Sequence, residues 1–244
     1  MSENKSIQLG LCCINSVLRK QKPPIFSSRK MIIRTVEEKG IQSLKDKIIQ
    51  NLQDTLVLID FNEQHGIKVF RLSSELFPHK TNPKVEDYSF DFAKDLLKQI
   101  GDKAKKFNQR LTFHPGHFNV IGTPNPEYFQ HTVEDLSYHA DVLDLMGCDC
   151  HSVMVIHGGG VYGDKEKTKK RWCEQYHQLP THVKKRLVLE NCEKNFSIQD
   201  CLDISNVVGI PVVFDTHHYT CYHILHPDEH LQPESYYIPL ILDT

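Results

Sequence analysis

No apolar run in this 244-residue chain approaches the ~20 residues that a membrane-spanning helix requires. The segment from Met1 to Ile7 is polar and lacks the apolar core of a secretory signal peptide. Low-complexity segments and recognisable linkers are absent as well. These absences, together with the length, predict a single domain over residues 1–244 that avoids membranes and resides in the cytoplasm or the nucleus.

The sequence contains no CxxC pair, although it has eight cysteines. They are scattered through a long chain, which argues against the disulfide framework of a small secreted protein. Several fall inside apolar runs, namely Cys12, Cys13, Cys192 and Cys201. We therefore expect the cysteines to be reduced and mostly buried.

An excess of charge of one sign is also missing, since the formal net charge is −2 at pH 7. Bulk charge thus gives no sign of a nucleic-acid binder, but a local basic patch could still contact phosphates. The basic runs are KEKTKKR at residues 165–171 and a shorter run at residues 184–186. Such runs are usually solvated surfaces. Histidine is abundant, with 15 residues, so position along the chain must decide the role of each.

Short apolar runs alternate with longer helical patterns, and loops rich in Gly, Pro, His or Asn separate them. The predicted strands are residues 8–14, 67–72, 110–113, 152–156, 186–189 and 211–214. The predicted helices are residues 41–65, 90–108, 126–146, 165–178, 197–208 and 235–243. Gly66, Gly147 and Gly209 follow three of these helices, where a helix end favours positive φ. The alternation predicts a parallel α/β fold, either an open doubly wound sheet or a barrel.

Neither a GxGxxG motif after the first strand nor a P-loop is present, which disfavours a nucleotide-binding Rossmann fold. A closed (β/α)8 barrel needs eight strands, and the sequence predicts six. Either the fold is a variant of the barrel or this chain lacks the last two units.

Potential metal ligands stand at the ends of four successive predicted strands. They are His114, His157, Glu190 and Asp215, with His218 three residues after the last. In a parallel barrel the carboxyl ends of all strands open on one face, so these side chains should converge. A single strand-end histidine is more often a packed or capping residue, but four successive strands favour a Zn or Mn site. A catalytic triad is disfavoured because no Ser or Cys occupies a nucleophile elbow.

The loops after the third and fourth predicted strands suit close contact with a phosphate backbone. Phe118, on the first of these loops, is either an ordinary core aromatic or a wedge into a base stack. Three glycines at 158–160 leave room for a backbone or phosphate to approach. The run at 165–171 lies just past this face, where it could bind phosphates, whereas the run at 184–186 precedes a strand and falls on the opposite face.

An ordered set of short motifs along almost the whole chain resembles the UV damage endonucleases. The motifs are Leu9-Gly10 with Asn15, Phe70-Arg71-Leu72-Ser73-Ser74, His114-Pro115-Gly116, Val155-Ile156-His157-Gly158-Gly159, Leu189-Glu190-Asn191 and Val213-Phe214-Asp215-Thr216-His217-His218. The resemblance implies a TIM barrel related to endonuclease IV that holds up to three divalent ions, manganese first, with zinc or magnesium as alternatives. It also implies cleavage of the phosphodiester 5′ to a UV photoproduct or related lesion, which leaves a 3′-hydroxyl.

The resemblance also assigns roles by position. His114, His157, Glu190, Asp215 and His218 match metal ligands of the family, and Glu190, His157 and Asp215 form the expected catalytic set. The pair that probes the duplex at the lesion corresponds to His117 and Phe118, where the family more often has Gln first. Asn15 matches a residue near the damaged nucleotides.

Two departures from the family pattern stand out. The loop after the second strand should supply a histidine ligand at a position where this chain has Asn82, and His79 is the substitute that we expect. The family's last two strands should supply a Lys-x-His motif, another histidine and a glutamate, and none of these is present up to Thr244. We therefore expect an incomplete barrel and metal cluster, with unpaired strand edges and an exposed core.

The predicted partner is damaged double-stranded DNA, bound by a monomer. Two alternatives remain open. A xylose isomerase-like sugar isomerase or epimerase uses the same fold with Glu, Asp and His ligands, so the fold by itself does not exclude it. A truncated barrel that binds DNA without cleaving it is the other alternative.

Overall fold

The computed structural model describes residues 7–244, which form two compact units. The first unit contains residues up to 114 together with 141–152, and the second contains residues 115–140 and 153–244. Within the described residues, each unit holds three parallel strands and the helices that connect them. The predicted α/β alternation is therefore confirmed, while the single domain over residues 1–244 stays a prediction.

The first unit is a three-stranded parallel sheet with β2 in the middle. Its elements are β1 (Leu9–Cys12), α1 (Ser16–Arg19), α2 (Ile33–Gln64), β2 (Ile67–Leu72), a 3-10 turn (Asp91–Ala93), α3 (Lys94–Lys106) and β3 (Arg110–Phe113). Phe70 of β2 pairs with Leu11 on one side and with Leu111 on the other. Helix α2 buries a stripe at helical spacing that includes Leu44, Ile48, Leu52 and Ile59. The core of this unit lies between that stripe and the sheet.

Glycines shape two helices of the first unit. Gly40 has φ 77° and kinks α2, so the segment that the sequence predicted from residue 41 is the part after the kink. Gly101 of α3 lies against the carbonyl of Met146, and a Cβ at this position would come within 1.6 Å of that oxygen. A side chain at position 101 would therefore force the two segments apart.

The second unit places β5 between β4 and β6. It contains β4 (Met154–His157), α5 (Lys165–Tyr176), α6 (Thr181–Lys184), β5 (Leu187–Glu190), α7 (Ile198–Val208), β6 (Val212–Val213), α8 (Thr216–Leu225) and α9 (Glu234–Leu242), and α4 (Pro126–Leu145) begins in it. Every residue of β5 is buried. Helix α7 starts at a capping box formed by Ser197 and Asp200 and ends at Gly209 in the left-handed conformation.

The predicted strands all exist, and most predicted helices agree within a few residues. The sequence missed the short helices α1 and α6 and, more importantly, α8, which follows β6 directly. Gly66, Gly147 and Gly209 have φ between 69° and 71°, which confirms their predicted place at helix ends. Between residues 7 and 244, no helix combines the length and apolar composition needed to cross a membrane.

The cysteines differ from expectation in their burial. All eight have free thiols, but only Cys192 and Cys201 are buried. Cys12 is exposed and Cys13 half-buried, because β1, which carries Cys12, leaves most of its residues accessible. The prediction that the cysteines are mostly buried is therefore wrong.

Candidate metal centre

Strands β4 and β5 end side by side on two ionisable residues. His157 and Glu190 are the last residues of their strands and are partners in the parallel register. His157 Nε2 lies 2.7 Å from Glu190 Oε2, and the two side chains are only 11% and 9% exposed. A carboxylate with so little access to water interacts more strongly with a nearby cation than one on the surface does.

The start of α8 brings two further ligand-type residues. Asp215 is its N-cap, and Oδ1 of this residue accepts a hydrogen bond from the backbone N–H of His218 at 2.8 Å. Nδ1 of His218 lies 2.9 Å from the carbonyl oxygen of Asn191. Because a carbonyl can only accept a hydrogen bond, Nδ1 carries the proton, and Nε2 keeps its lone pair for a metal.

These residues together form a donor set for a divalent ion. Glu190, Asp215 and His218 each offer one ligand atom, and the three atoms lie within 4.8 Å of one another. The ring of His157 stands perpendicular to that of His218, with centroids 5.1 Å apart. Two carboxylates with imidazole nitrogen suit Zn²⁺ or Mn²⁺, so the residues present fit the kind of ion that the sequence predicted.

Glu193 adds a third carboxylate at the edge of this centre. Its Oε2 lies 3.9 Å from His218 Nε2. A hydrogen bond from its own backbone N–H outweighs burial and lowers the pKa of Glu193. The carboxylate is therefore ionised at neutral pH and makes the neighbourhood of Nε2 more attractive to a cation.

The loop after residue 114 carries an exposed aromatic ring close to these ligands. The ring centroid of His117 lies 4.9 Å from that of His157. The neighbouring Phe118 is 67% exposed, which decides against a core role for this ring. Its ring lies over Gly116, where a Cβ would come within 2.4 Å of Cε1 of Phe118. The loop therefore presents a flat apolar surface to solvent, next in sequence to the His117 ring that lies near His157.

The comparison with protein families decides the assignment. The family described as UV-endonuclease UvdE matches residues 7–244. The chain belongs to the UvdE family.

Two UvdE-like relatives show how much of a longer protein the chain covers. A putative UV-damage endonuclease of Acanthamoeba polyphaga mimivirus is 41% identical over 216 residues, which are 87% of this chain and 65% of the relative. A UV-damage endonuclease of Schizosaccharomyces pombe is 37% identical over 216 residues, which are 87% of this chain and 36% of the relative. The chain thus spans about one to two thirds of the length of these relatives.

Solved structures agree with the UvdE assignment. The crystal structure of SacUVDE covers 98% of this chain and 77% of its own, with a TM-score of 0.85 and 28% identity. Endonuclease IV from Thermus thermophilus covers 71% of this chain and 63% of its own, with a TM-score of 0.50 at 14% identity, which shows shared fold only. The fold class is therefore α/β of TIM-barrel type with six βα units, as predicted.

Two residues that the UvdE resemblance singled out lie in loops that follow strands β1 and β3 of the first unit. His114 directly follows β3, as predicted. Asn15 is 5% exposed and caps α1, since its Oδ1 accepts hydrogen bonds from the backbone N–H groups of Val17 and Leu18. The structure thus gives Asn15 a capping role that the sequence analysis did not foresee, and its contact with DNA stays a prediction.

His79 also has a structural role in the first unit. Its Nε2 lies 2.5 Å from the carbonyl oxygen of Met31, and its Nδ1 lies 3.1 Å from Nδ2 of Asn82. Both ring nitrogens therefore have partners, and metal binding would have to displace one of them. Asn82, which takes the position of the expected UvdE ligand, holds the ring in place. The assignment of His79 as a ligand stays a prediction.

The basic run at residues 165–171 mostly bonds within the fold. Lys165 contacts Asp200 and Tyr222, and Lys169 contacts Asp200 and Asp203. Burial by itself lowers the pKa of Lys165 and of Lys169, but these hydrogen bonds and charges outweigh it and raise both. The two lysines therefore attach α5 to α7 and α8, whereas the sequence suggested that the run could bind phosphates.

Asn191 and Glu193 have no role that was predicted from the sequence. Asn191 directly follows the strand-end carboxylate Glu190, so its place beside a predicted ligand was the available signal. The position of Asp215, three residues before His218, is the spacing of a helix N-cap, and this spacing could have predicted α8.

Proposed function

We propose that this chain is a metal-dependent endonuclease that hydrolyses the phosphodiester 5′ to UV photoproducts and related lesions in double-stranded DNA. The observation that carries the proposal is the approach of Glu190, Asp215 and His218 to within 4.8 Å of one another. Membership of the UvdE family supports the substrate class, because relatives at 37% and 41% identity are named UV-damage endonucleases. The chain acts as a monomer.

The ions are divalent, up to three in number, with Mn²⁺ favoured over Zn²⁺ and Mg²⁺. The proposed ligands in the second unit are His157, Glu190, Asp215 and His218, and the proposed ligand in the first unit is His114, since both ring nitrogens of His79 already have partners. Ions bound there polarise the scissile phosphate and lower the pKa of the attacking water.

Glu190, His157 and Asp215 are the proposed catalytic residues. His157 fixes Glu190 through the 2.7 Å contact, and the N-cap bond fixes Asp215. In the hydrolysis, the oxygen of water forms a new bond to phosphorus and the bond between phosphorus and the 3′-oxygen breaks. A proton from the water ends on that 3′-oxygen, which leaves a 3′-hydroxyl and a 5′-phosphate on the lesion side.

Lesion selection is proposed for Phe118 and His117, with Asn15 near the damaged nucleotides. Phe118 is exposed and can lie against a base, and His117 keeps a hydrogen-bonding side chain beside it. A photoproduct weakens stacking, so separating the bases costs less free energy at the lesion than in intact DNA. In undamaged DNA, the ring of Phe118 can contact a base face only after the regular stacking of the bases is broken.

The test compares nicking of a UV-irradiated duplex with nicking of the same duplex before irradiation, with Mn²⁺ and with a chelator. We expect cleavage only of the irradiated duplex and only with metal, with products that end in a 3′-hydroxyl 5′ of the lesion. A chain that binds the irradiated duplex but leaves it intact with Mn²⁺, Zn²⁺ and Mg²⁺ would contradict the proposal.

A further inference from the structure

Asn191 links the end of β5 to the start of α8 through two reciprocal hydrogen bonds. Its Nδ2 donates to the carbonyl oxygen of Asp215 at 2.9 Å, and its Oδ1 accepts from the backbone N–H of Asp215 at 2.9 Å. The side chain is 1% exposed, so water does not compete for these bonds. An amide is the side chain that can donate to and accept from one residue in this way.

The backbone of the same residue orients a second ligand. The carbonyl oxygen of Asn191 lies 2.9 Å from Nδ1 of His218 and so fixes both the ring orientation and the tautomer. Asn191 therefore contacts two of the three residues whose ligand atoms converge, and it follows the third, Glu190, in sequence.

We propose that Asn191 is the positioning residue of this metal centre. It holds the backbone of Asp215 so that the carboxylate points toward Glu190, and it leaves Nε2 of His218 as the nitrogen that binds the ion. This inference rests on the metal site of the proposed function. Asn191 contacts neither substrate nor metal, so it acts only through Asp215 and His218.

The loop that begins at Asn191 is itself fixed at its far end. The thiol of Cys192 accepts hydrogen bonds from the backbone N–H groups of Asn195 and Phe196 at 3.3 and 3.2 Å. The ring of Phe196 packs so closely on Gly158, the residue after His157, that a Cβ there would come within 2.4 Å of the ring. The loop therefore connects the residues after β4 with those after β6. These contacts hold in place the loop in which Asn191 is the first residue.

The experiment measures binding of Mn²⁺ alone, from the electron paramagnetic resonance signal of free Mn²⁺, together with the melting temperature from circular dichroism. Loss of a residue that orients metal ligands typically weakens metal affinity about 10- to 100-fold, which is what we expect for Asn191→Ala. The matched control is Asn125→Ala, because the side chain of Asn125 likewise makes two hydrogen bonds to backbone groups, which it accepts from Glu127 and Tyr128 at the start of α4. This control should lower the melting temperature and leave Mn²⁺ affinity within about twofold.

Asn191→Asp distinguishes the effect of positioning on Mn²⁺ affinity from the effect of charge. It also provides a second test if Asn191→Ala does not fold. The aspartate keeps the acceptor for the N–H of Asp215, loses the donor to its carbonyl and adds negative charge. Positioning predicts weaker Mn²⁺ binding in spite of that charge, and tighter binding would overturn the inference. In an Asp215→Ala/His218→Ala background, Asn191→Ala should have little further effect on Mn²⁺ affinity, since the carboxylate and the imidazole that Asn191 positions are absent.

The outcomes also separate this inference from the proposed function. If the wild-type chain does not bind Mn²⁺, the metal site itself is wrong. If the wild type binds Mn²⁺ and Asn191→Ala binds it equally well, the site stands and the positioning role is refuted.

Discussion

The two units use the polar side chains near their strand ends in different ways. In the second unit His157 and Glu190 bond to each other, and His218 is held at Nδ1 while Nε2 keeps its lone pair toward the neighbouring carboxylates. In the first unit Asn15 caps a helix, and His79 has partners at both ring nitrogens. A position after a strand therefore identifies a candidate metal ligand. Whether that residue can bind a metal ion depends on which of its side-chain atoms have no other partner in the fold.

Glu190→Gln tests the metal centre of the second unit. The substitution preserves shape and removes the charge, so we expect nicking of irradiated DNA to fall more than about 100-fold, with Mn²⁺ binding lost alongside it. Both are measured on the same preparation, by gel assay and by paramagnetic resonance of free Mn²⁺. The control is Glu174→Gln on the exposed face of α5, which should change neither quantity. Undiminished cleavage by Glu190→Gln would refute the metal assignment.

Much of the fold could be predicted from the sequence because its periodicity is strong. Parallel strands that are buried on both faces are short apolar runs, and β2 and β3 begin and end where that pattern does. Helix α8 was missed because its sequence, THHYTCYHIL, mixes histidine with aromatic residues and shows no clear polar face. The start of α2 was missed because Gly40, which kinks the helix, reads as a boundary in sequence.

The metal ligands of the site could be predicted from the sequence, whereas the residues that orient those ligands could not. His157, Glu190, Asp215 and His218 follow from strand ends and from the family resemblance, and the last three converge in the structure. The role of Asn191 depends on which backbone atoms come within hydrogen-bond distance, which no spacing along the chain encodes. The same holds for Lys169, whose partners on α7 are more than 30 residues away.

Phe118→Ala tests the exposed side of the second unit. Stacking of one base on an aromatic ring contributes roughly 1 to 3 kcal/mol, so we expect the preference for irradiated over undamaged duplex to fall about tenfold. Mn²⁺ affinity should stay unchanged, because the ring offers no ligand atom. The matched control is Tyr128→Ala, another exposed aromatic of this unit, on α4. An equal loss of preference in both variants would show that general apolar surface, and not this loop, recognises the lesion.

His79→Ala tests the first unit. Because both ring nitrogens already have partners, we expect loss of roughly 1 to 2 kcal/mol of stability, measured by urea unfolding, from two broken hydrogen bonds. Mn²⁺ affinity should change less than about threefold, well below the effect of losing a residue that orients a metal ligand. A loss of Mn²⁺ binding as large as that of Glu190→Gln would instead establish His79 as a ligand. The side chains of the first unit would then not differ in this respect from those of the second.

Substitutions of two neighbouring lysines of α5, Lys169 and Lys170, should have small and different effects. Lys169 is 13% exposed at its side chain and forms ion pairs with Glu166, Asp200 and Asp203, whereas Lys170 is exposed. Lys169→Met should cost about 1 kcal/mol of stability at neutral pH and leave DNA affinity unchanged. The folded-state pKa of Lys169 is raised, so its contribution is complete below the unfolded pKa of ~10.4 and disappears as pH rises through the folded value.

Lys170→Met should leave stability unchanged and weaken DNA binding if this face of α5 contacts DNA. Its stability should match the wild type, while the slope of log affinity for duplex DNA against log salt should become shallower by about 1, as for one lost phosphate contact. Titrations at several salt concentrations with both variants decide the matter. A shallower slope for Lys169→Met would mean that an ion-paired lysine still reaches phosphate, and availability of the side chain would then not predict which residues bind DNA.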